Sequence, residues 1–197
     1  GTIVTAGAVN TGSHPEPVHV MTDCSGFVTS LFTYANTLHT TQFSGWQTGN
    51  NIPEAGCNNP QATRNMPNPL NYYDLFVTEK NSWFQNVSLV DLQPGDIIAY
   101  ANTANTKDSG HIMLVAAVSN GTNNQESRYV VVVDETGSPH SYDTRNVTVL
   151  PSGAKEGGGI GMGVAKLAVS SDGQLQFYWA LNSTESEIGA IALGRAQ

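Results

Sequence analysis

The chain has 197 residues, 39% of them hydrophobic, with 16 Asp and Glu against 8 Lys and Arg and a formal charge of -8. That length and apolar content suit one domain, residues 1–197, with a core of its own, while the acidic balance and scattered basic residues argue against nucleic acid as a partner. No apolar run approaches the roughly 18 residues of a membrane-spanning helix. Two cysteines, Cys24 and Cys57, are too few for a disulfide scaffold, and no Cys/His spacing suggests a zinc site or other metal centre.

Gly1 to Asn10 show no basic region followed by an apolar one, a pattern that leaves the compartment open. Residues 24–38, CSGFVTSLFTYANTL, place Cys24, Phe27, Val28, Leu31, Ala35 and Leu38 at helical spacing and predict a helix with one buried stripe. Thr22 or Asp23 would be its N-cap. From Asn36 to roughly Asn81 the chain is dense in Asn, Pro, Gly and Thr, which predicts a long loop excursion over about residues 39–90, relieved by a short helix near Tyr72–Val77. Such loops often line binding sites, and Trp46, Tyr72, Tyr73 and Trp83 suit either a local core or the wall of a groove.

After the turn signature Pro94-Gly95-Asp96 the pattern becomes strand-like: Ile97–Tyr100, His111–Val118 and Tyr129–Val133, the last two joined as a hairpin by an Asn-rich linker. Val164–Val169 and Gln174–Leu181 form a further pair around Ser-Ser-Asp-Gly, and Ile188–Leu193 closes the chain. One helix followed by a mostly antiparallel sheet is the α+β pattern. The run Gly157–Gly163 lacks the Lys-Ser/Thr ending of a phosphate loop and reads as a flexible turn between strands. Four N-x-S/T sequons, at Asn86, Asn120, Asn146 and Asn182, barely exceed the about three that composition produces by chance.

A cysteine in the first turn of a helix meets unpaired backbone N–H groups and the positive end of the helix dipole, which favour a thiolate. Cys24 lies there and on the apolar stripe, so its thiol points toward the sheet. His111 opens a strand just after Ser109-Gly110. Pairing Val118 with Arg128 across the hairpin sets His111 opposite about residue 135, where Asp134 and Glu135 stand. An acid there would hold the imidazole's tautomer and stabilise its cation. Alternation allows one of the two to share the histidine's face; Asp134 is the preferred third member. His14, His19, His39 and His140 read as surface or loop residues, with His14 and His19 able to border the cleft. Cys57 reads as an incidental thiol, and the bland alternative for Cys24 is a structural cysteine or a Cys24–Cys57 disulfide.

Three segments, Asp23-Cys24-Ser25-Gly26-Phe27-Val28, Leu92-Gln93-Pro94-Gly95-Asp96-Ile97-Ile98 and Gly110-His111-Ile112, resemble the NlpC/P60 family of papain-like cysteine peptidases over roughly residues 20–135. The closing Ile191–Arg195 is similar to that family's last strand. The resemblance implies a papain-like core, hydrolysis of amide bonds in peptidoglycan stem peptides outside the cytoplasm, no cofactor, and a role for Asp23 and Ser25 in binding the substrate's amino-terminal side. The family's third catalytic position is most often His, whereas here the strand ends in Asp134-Glu135. The related CHAP amidases can end that strand in an acid. Two other readings use the same residues: an acyltransferase with an amine acceptor, and a catalytically silent binding domain. Nothing in the sequence sets an oligomeric state.

Overall fold

The computed structural model describes residues 24–35, 52–53, 63–64, 68–78, 84–102, 110–120, 126–145, 148–149, 155–156, 158–187 and 189–197. In chain order its elements are α1 (Cys24–Ala35), β1 (Ile52–Pro53), β2 (Thr63–Arg64), α2 (Pro69–Thr78), β3 (Phe84–Asn86), a 3-10 turn (Leu89–Asp91), β4 (Ile97–Ala101), β5 (Gly110–Asn120), β6 (Ser127–Glu135), β7 (Thr148–Val149), β8 (Lys155–Glu156), β9 (Ile160–Val169), β10 (Leu175–Tyr178) and β11 (Ala190–Ala196). The fold is α+β. A seven-stranded sheet runs in the order β10-β9-β6-β5-β4-β11-β3 with every neighbouring pair antiparallel. Two small ribbons, β1 with β2 and β7 with β8, stand apart from it. Among the described residues no helix is long and apolar enough to cross a membrane.

The period-two pattern of β6 shows why the sheet has two cores: Arg128, Val130, Val132 and Asp134 are buried, while the residues between them are half-buried. One face receives both helices. Ile97, Ala99, Ile112 and Ala192 pack there against Val28, Tyr72, Phe76 and Phe84. The other face curls on itself until β10 meets β11, enclosing Ile98, Met113, Val115, Val130, Val132, Leu167, Phe177 and Leu193. β4, apolar throughout, serves both cores and is buried at all five positions.

Local chemistry explains the helix inside the polar excursion. Asn68 accepts from the Asn71 N–H at 2.9 Å and Asn71 accepts from the Asn68 N–H at 3.0 Å, a reciprocal capping box, with Pro69 at the first helical position. Tyr72, one of the aromatics that suited core or groove equally, is core: its ring is fully buried and its hydroxyl lies 2.8 Å from Thr29 Oγ1. Tyr73 packs against the same cluster. Trp46, Trp83, Cys57, Asp23 with the N-cap position, His14, His19, His39 and the helix's expected tail at residues 36–38 lie outside the described residues.

The Pro-Gly-Asp turn locks the end of the chain to β4. The Arg195 guanidinium donates to both Asp96 oxygens, at 2.7 and 2.9 Å, and to the Asp91 carbonyl at 2.7 Å, while Asp96 also accepts from the Gln93 N–H at 2.8 Å. Several strand ends differ from expectation, among them the following two. β11 runs on to Ala196 because it pairs with β3 as well as β4. β10 stops at Tyr178 instead of Leu181, releasing Trp179 from the ladder.

Candidate active site

The catalytic candidates come from three elements. Cys24 is the first residue of α1 and is partly exposed. His111 is the second residue of β5, paired with Tyr100 of β4. The strand closes on β4 through Gly110, whose φ of +110° suits glycine; a Cβ there would come within 1.9 Å of the Tyr100 carbonyl oxygen. Asp134 sits near the end of β6 with its side chain wholly buried.

A bulge decides which acid meets the histidine. Near the hairpin Asn120 pairs with Arg128, a register that carried onward would set Glu135 opposite Met113 and so on the histidine's face. Ala116 is an extra residue between the pairs Val115–Val132 and Ala117–Val131, so Leu114 pairs with Val133 and the next step brings Asp134 opposite Met113. Asp134 therefore shares the face of His111 and reaches it diagonally, as long side chains on neighbouring strands can. Both the expected pairing of Val118 with Arg128 and the expected position of residue 135 opposite His111 are thus corrected by the observed register.

His111 Nε2 lies 2.6 Å from Asp134 Oδ2, which leaves Nδ1 as the ring nitrogen for the Cys24 thiol, within hydrogen-bonding reach of the ring. Burial works against charge on the imidazole, but the hydrogen bonds to Asp134 and Cys24, with the negative charge on both, outweigh it and push the His111 pKa up to about 9. Burial would also raise the Asp134 pKa, yet hydrogen bonds from His111 and His140 and the charges around it hold this carboxyl well below the usual carboxylate range.

Asp134 is held from behind by groups that motif reading overlooked. His140, expected at the surface, is 5% exposed: Nε2 lies 3.0 Å from Asp134 Oδ2 and Nδ1 lies 2.9 Å from the Trp179 carbonyl oxygen. Arg145 Nη1 donates to Asp134 Oδ1 at 2.8 Å, and its Nε and Nη2 donate to Asp143. Asp143 also caps the turn by accepting from the backbone N–H groups of His140 and Arg145, each at 2.8 Å. Trp179 stacks on His140 with ring centroids 4.3 Å apart and tilts over His111 at 5.2 Å, shielding the imidazole–carboxylate contacts from water. Its indole N–H is shared by the carbonyls of Ser138 and Pro139.

Of the glycine run expected as a flexible turn, the part from Ile160 to Gly163 is instead the opening of β9, and Gly161 and Gly163 make room for this layer, while Gly157 lies outside the described residues. A Cβ on Gly163 would lie 2.6 Å from His140 Cβ, and one on Gly161 would lie 2.4 Å from Arg145 Cγ. The missed residues did leave a signal: His140, Asp143 and Arg145 crowd into six positions just past a strand in a chain with only 12% charged residues. Trp179 left none.

An open groove of about 510 Å³ runs beside His111, walled by Tyr100, Asn102, Ser138, Trp179 and Glu187 among others. Ser25 is buried in α1 at 3% exposure and is not among the groove's lining residues. Among the described residues no cluster of His, Cys, Asp and Glu is disposed to hold a metal ion; both imidazoles aim at the carboxylate. Comparison of the chain with protein-family models, with curated proteins and with solved structures finds no match in any of the three.

Proposed function

We propose that this chain is a cysteine hydrolase that cleaves amide bonds through a Cys24 thioester, with His111 as acid and base and Asp134 as the third triad member. One observation carries the reading: a single imidazole bridges a thiol at a helix N-terminus and a buried carboxylate, each supplied by a different element. The papain-like, NlpC/P60-type reading draws its support from the resemblance of the Cys24, Pro-Gly-Asp and His111 segments, and from the order of cysteine helix, histidine strand and acid strand.

In the reacting pair Cys24 has passed its proton to His111. The sulfur attacks the amide carbonyl carbon, and the oxyanion that forms is met by backbone N–H groups at the start of α1. His111 passes its proton to the leaving nitrogen as the C–N bond breaks, leaving an acyl thioester and a neutral imidazole. That imidazole takes a proton from the attacking water, the C–S bond breaks, and acid product and thiolate–imidazolium pair are regenerated. The mechanism draws on side chains and backbone alone. The preferred substrate is a peptide stem of peptidoglycan, met outside the cytoplasm; this choice follows from the motif resemblance.

The test is the pH dependence of Cys24 alkylation by iodoacetamide in a Cys57→Ser background. The reading expects the thiol to react well below the pH of an ordinary cysteine, about 8.5, and to lose that advantage in His111→Ala. Ordinary reactivity that ignores His111 would overturn it. A positive result is followed by digestion of peptidoglycan fragments, with added amine to reveal acyl transfer.

A further inference from the structure

Arg145 has more hydrogen bonds than a structural clamp on its loop needs. The side chain is 2% exposed. Two of its nitrogens grip Asp143, while Nη1 reaches 2.8 Å to Asp134 Oδ1 and is 3.4 Å from the Asp134 carbonyl and 3.3 Å from that of Gly159. The direction of these contacts divides Asp134 into two halves. Oδ1 belongs to the guanidinium, and Oδ2 is left to the two imidazoles, at 2.6 Å from His111 and 3.0 Å from His140.

That division has two consequences for the imidazole in front. A planar guanidinium gripped by Asp143 and fixed to one oxygen sets the rotation of the carboxylate, and so the place of the His111 ring. Its positive charge also takes up part of the carboxylate's field. A bare Asp134 would hold the His111 proton more tightly, and an acid that keeps its proton is a poor donor to a leaving amine.

We propose that Arg145 is a positioning residue: acting through Asp134, it orients the His111 ring and limits how tightly that ring holds its proton. The inference rests on the Cys24–His111–Asp134 reading above. Among the described residues the charged and titratable groups around His111 are Cys24 on α1, Tyr100 on β4, Asp134 on β6, His140, Asp143 and Arg145 in the following turn, and Glu187 at the groove rim. Of these, Arg145 and Asp143 oppose each other in sign, and the hydrogen bonds that link them to His111 run through Asp134.

The measurement is the NMR titration of the His111 ring, assigned with His111→Gln, in Cys57→Ser protein; no substrate is needed. Arg145→Met should move the His111 midpoint upward by about one pH unit, the scale expected for a unit charge several ångströms away at intermediate dielectric. Asp143→Asn should move it downward, because Arg145 then turns more of its charge on Asp134. Arg145→Lys should keep the midpoint within a few tenths while slowing hydrolysis, since it retains charge and loses the fork. A midpoint unchanged in Arg145→Met and Asp143→Asn, or displaced with the signs reversed, overturns the inference and leaves Arg145 a structural clamp. If Arg145→Met does not fold, the Asp143→Asn shift decides alone. Failure of the underlying reading looks different: His111 would titrate near its ordinary value in the parent protein and ignore Cys24→Ala.

Discussion

Among the described residues two buried aspartates, Asp96 and Asp134, are gripped by arginines, and they do different things. Asp96 gives both oxygens to Arg195 and accepts in addition from the Gln93 N–H, so the pair ties β11 to the turn before β4. Asp134 gives Arg145 one oxygen and offers the other to His111 and His140. A carboxylate whose oxygens all go to one guanidinium is a staple; one with an oxygen held back can position an imidazole and stabilise its charge. Each carboxylate has one arginine partner, so the arginine contacts alone would rank the two sites alike; the two imidazoles on Asp134 Oδ2 separate them.

Neutralising each carboxylate in turn breaks that comparison most sharply. Asp134→Asn should reduce hydrolysis by about 10³–10⁴-fold, since an amide neither stabilises the imidazolium nor enforces its tautomer; steady-state rates on a cleavable peptide check this. Asp96→Asn should leave turnover per folded molecule unchanged and lower the midpoint of thermal unfolding. If it reduced the rate as Asp134→Asn does, the division into staple and device would be wrong.

A smaller effect separates the layer behind Asp134 from the triad itself. Gly163→Ala pushes against the His140 backbone-proximal carbon, and should lower the rate by roughly tenfold, about 1.4 kcal/mol, while circular dichroism stays that of the parent. An unaltered rate would mean that His140 can shift without disturbing Asp134.

Stability as a function of pH gives the smallest signal. His111 has a folded pKa raised to about 9 from an ordinary 6.5, so its stabilisation is complete below about pH 6.5 and is lost as pH rises through 9. Asp134, shifted downward, contributes above about pH 4 and loses that contribution only in acid, outside this window. Denaturant unfolding at pH 6.5 and 9.5 should therefore show a loss in the parent protein that exceeds the loss in His111→Gln by roughly 2–3 kcal/mol. Equal losses would mean that the ring carries no extra proton in the fold.

The parts of the site legible in the sequence were those with local causes. Cys24 was visible because a helix N-terminus is written in a 15-residue window, and His111 because a strand start after glycine is equally local. Asp134 was reachable only through hairpin pairing, and the pairing used was two residues off. Its face depends on the extra residue at Ala116, and neither the sequence around Val115-Ala116-Ala117 nor its strand propensity announces a bulge. His140 looked like a loop residue because its burial comes from Trp179, 39 positions away, and from the Asp134 carboxylate.

By itself, then, the sequence determined the α1 helix, the β5–β6 and β9–β10 pairs, the α+β class and a thiol and imidazole placed to meet, because periodicity, turn residues and helix capping act within a few residues of their cause. The tertiary structure alone decided which acid shares the histidine's face, which arginine staples and which one serves Asp134, and why β9 opens on glycines. Those outcomes depend on register parity and on which groups take each oxygen of a buried carboxylate. Both are set by contacts between segments 20 to 100 residues apart, where no local preference reaches.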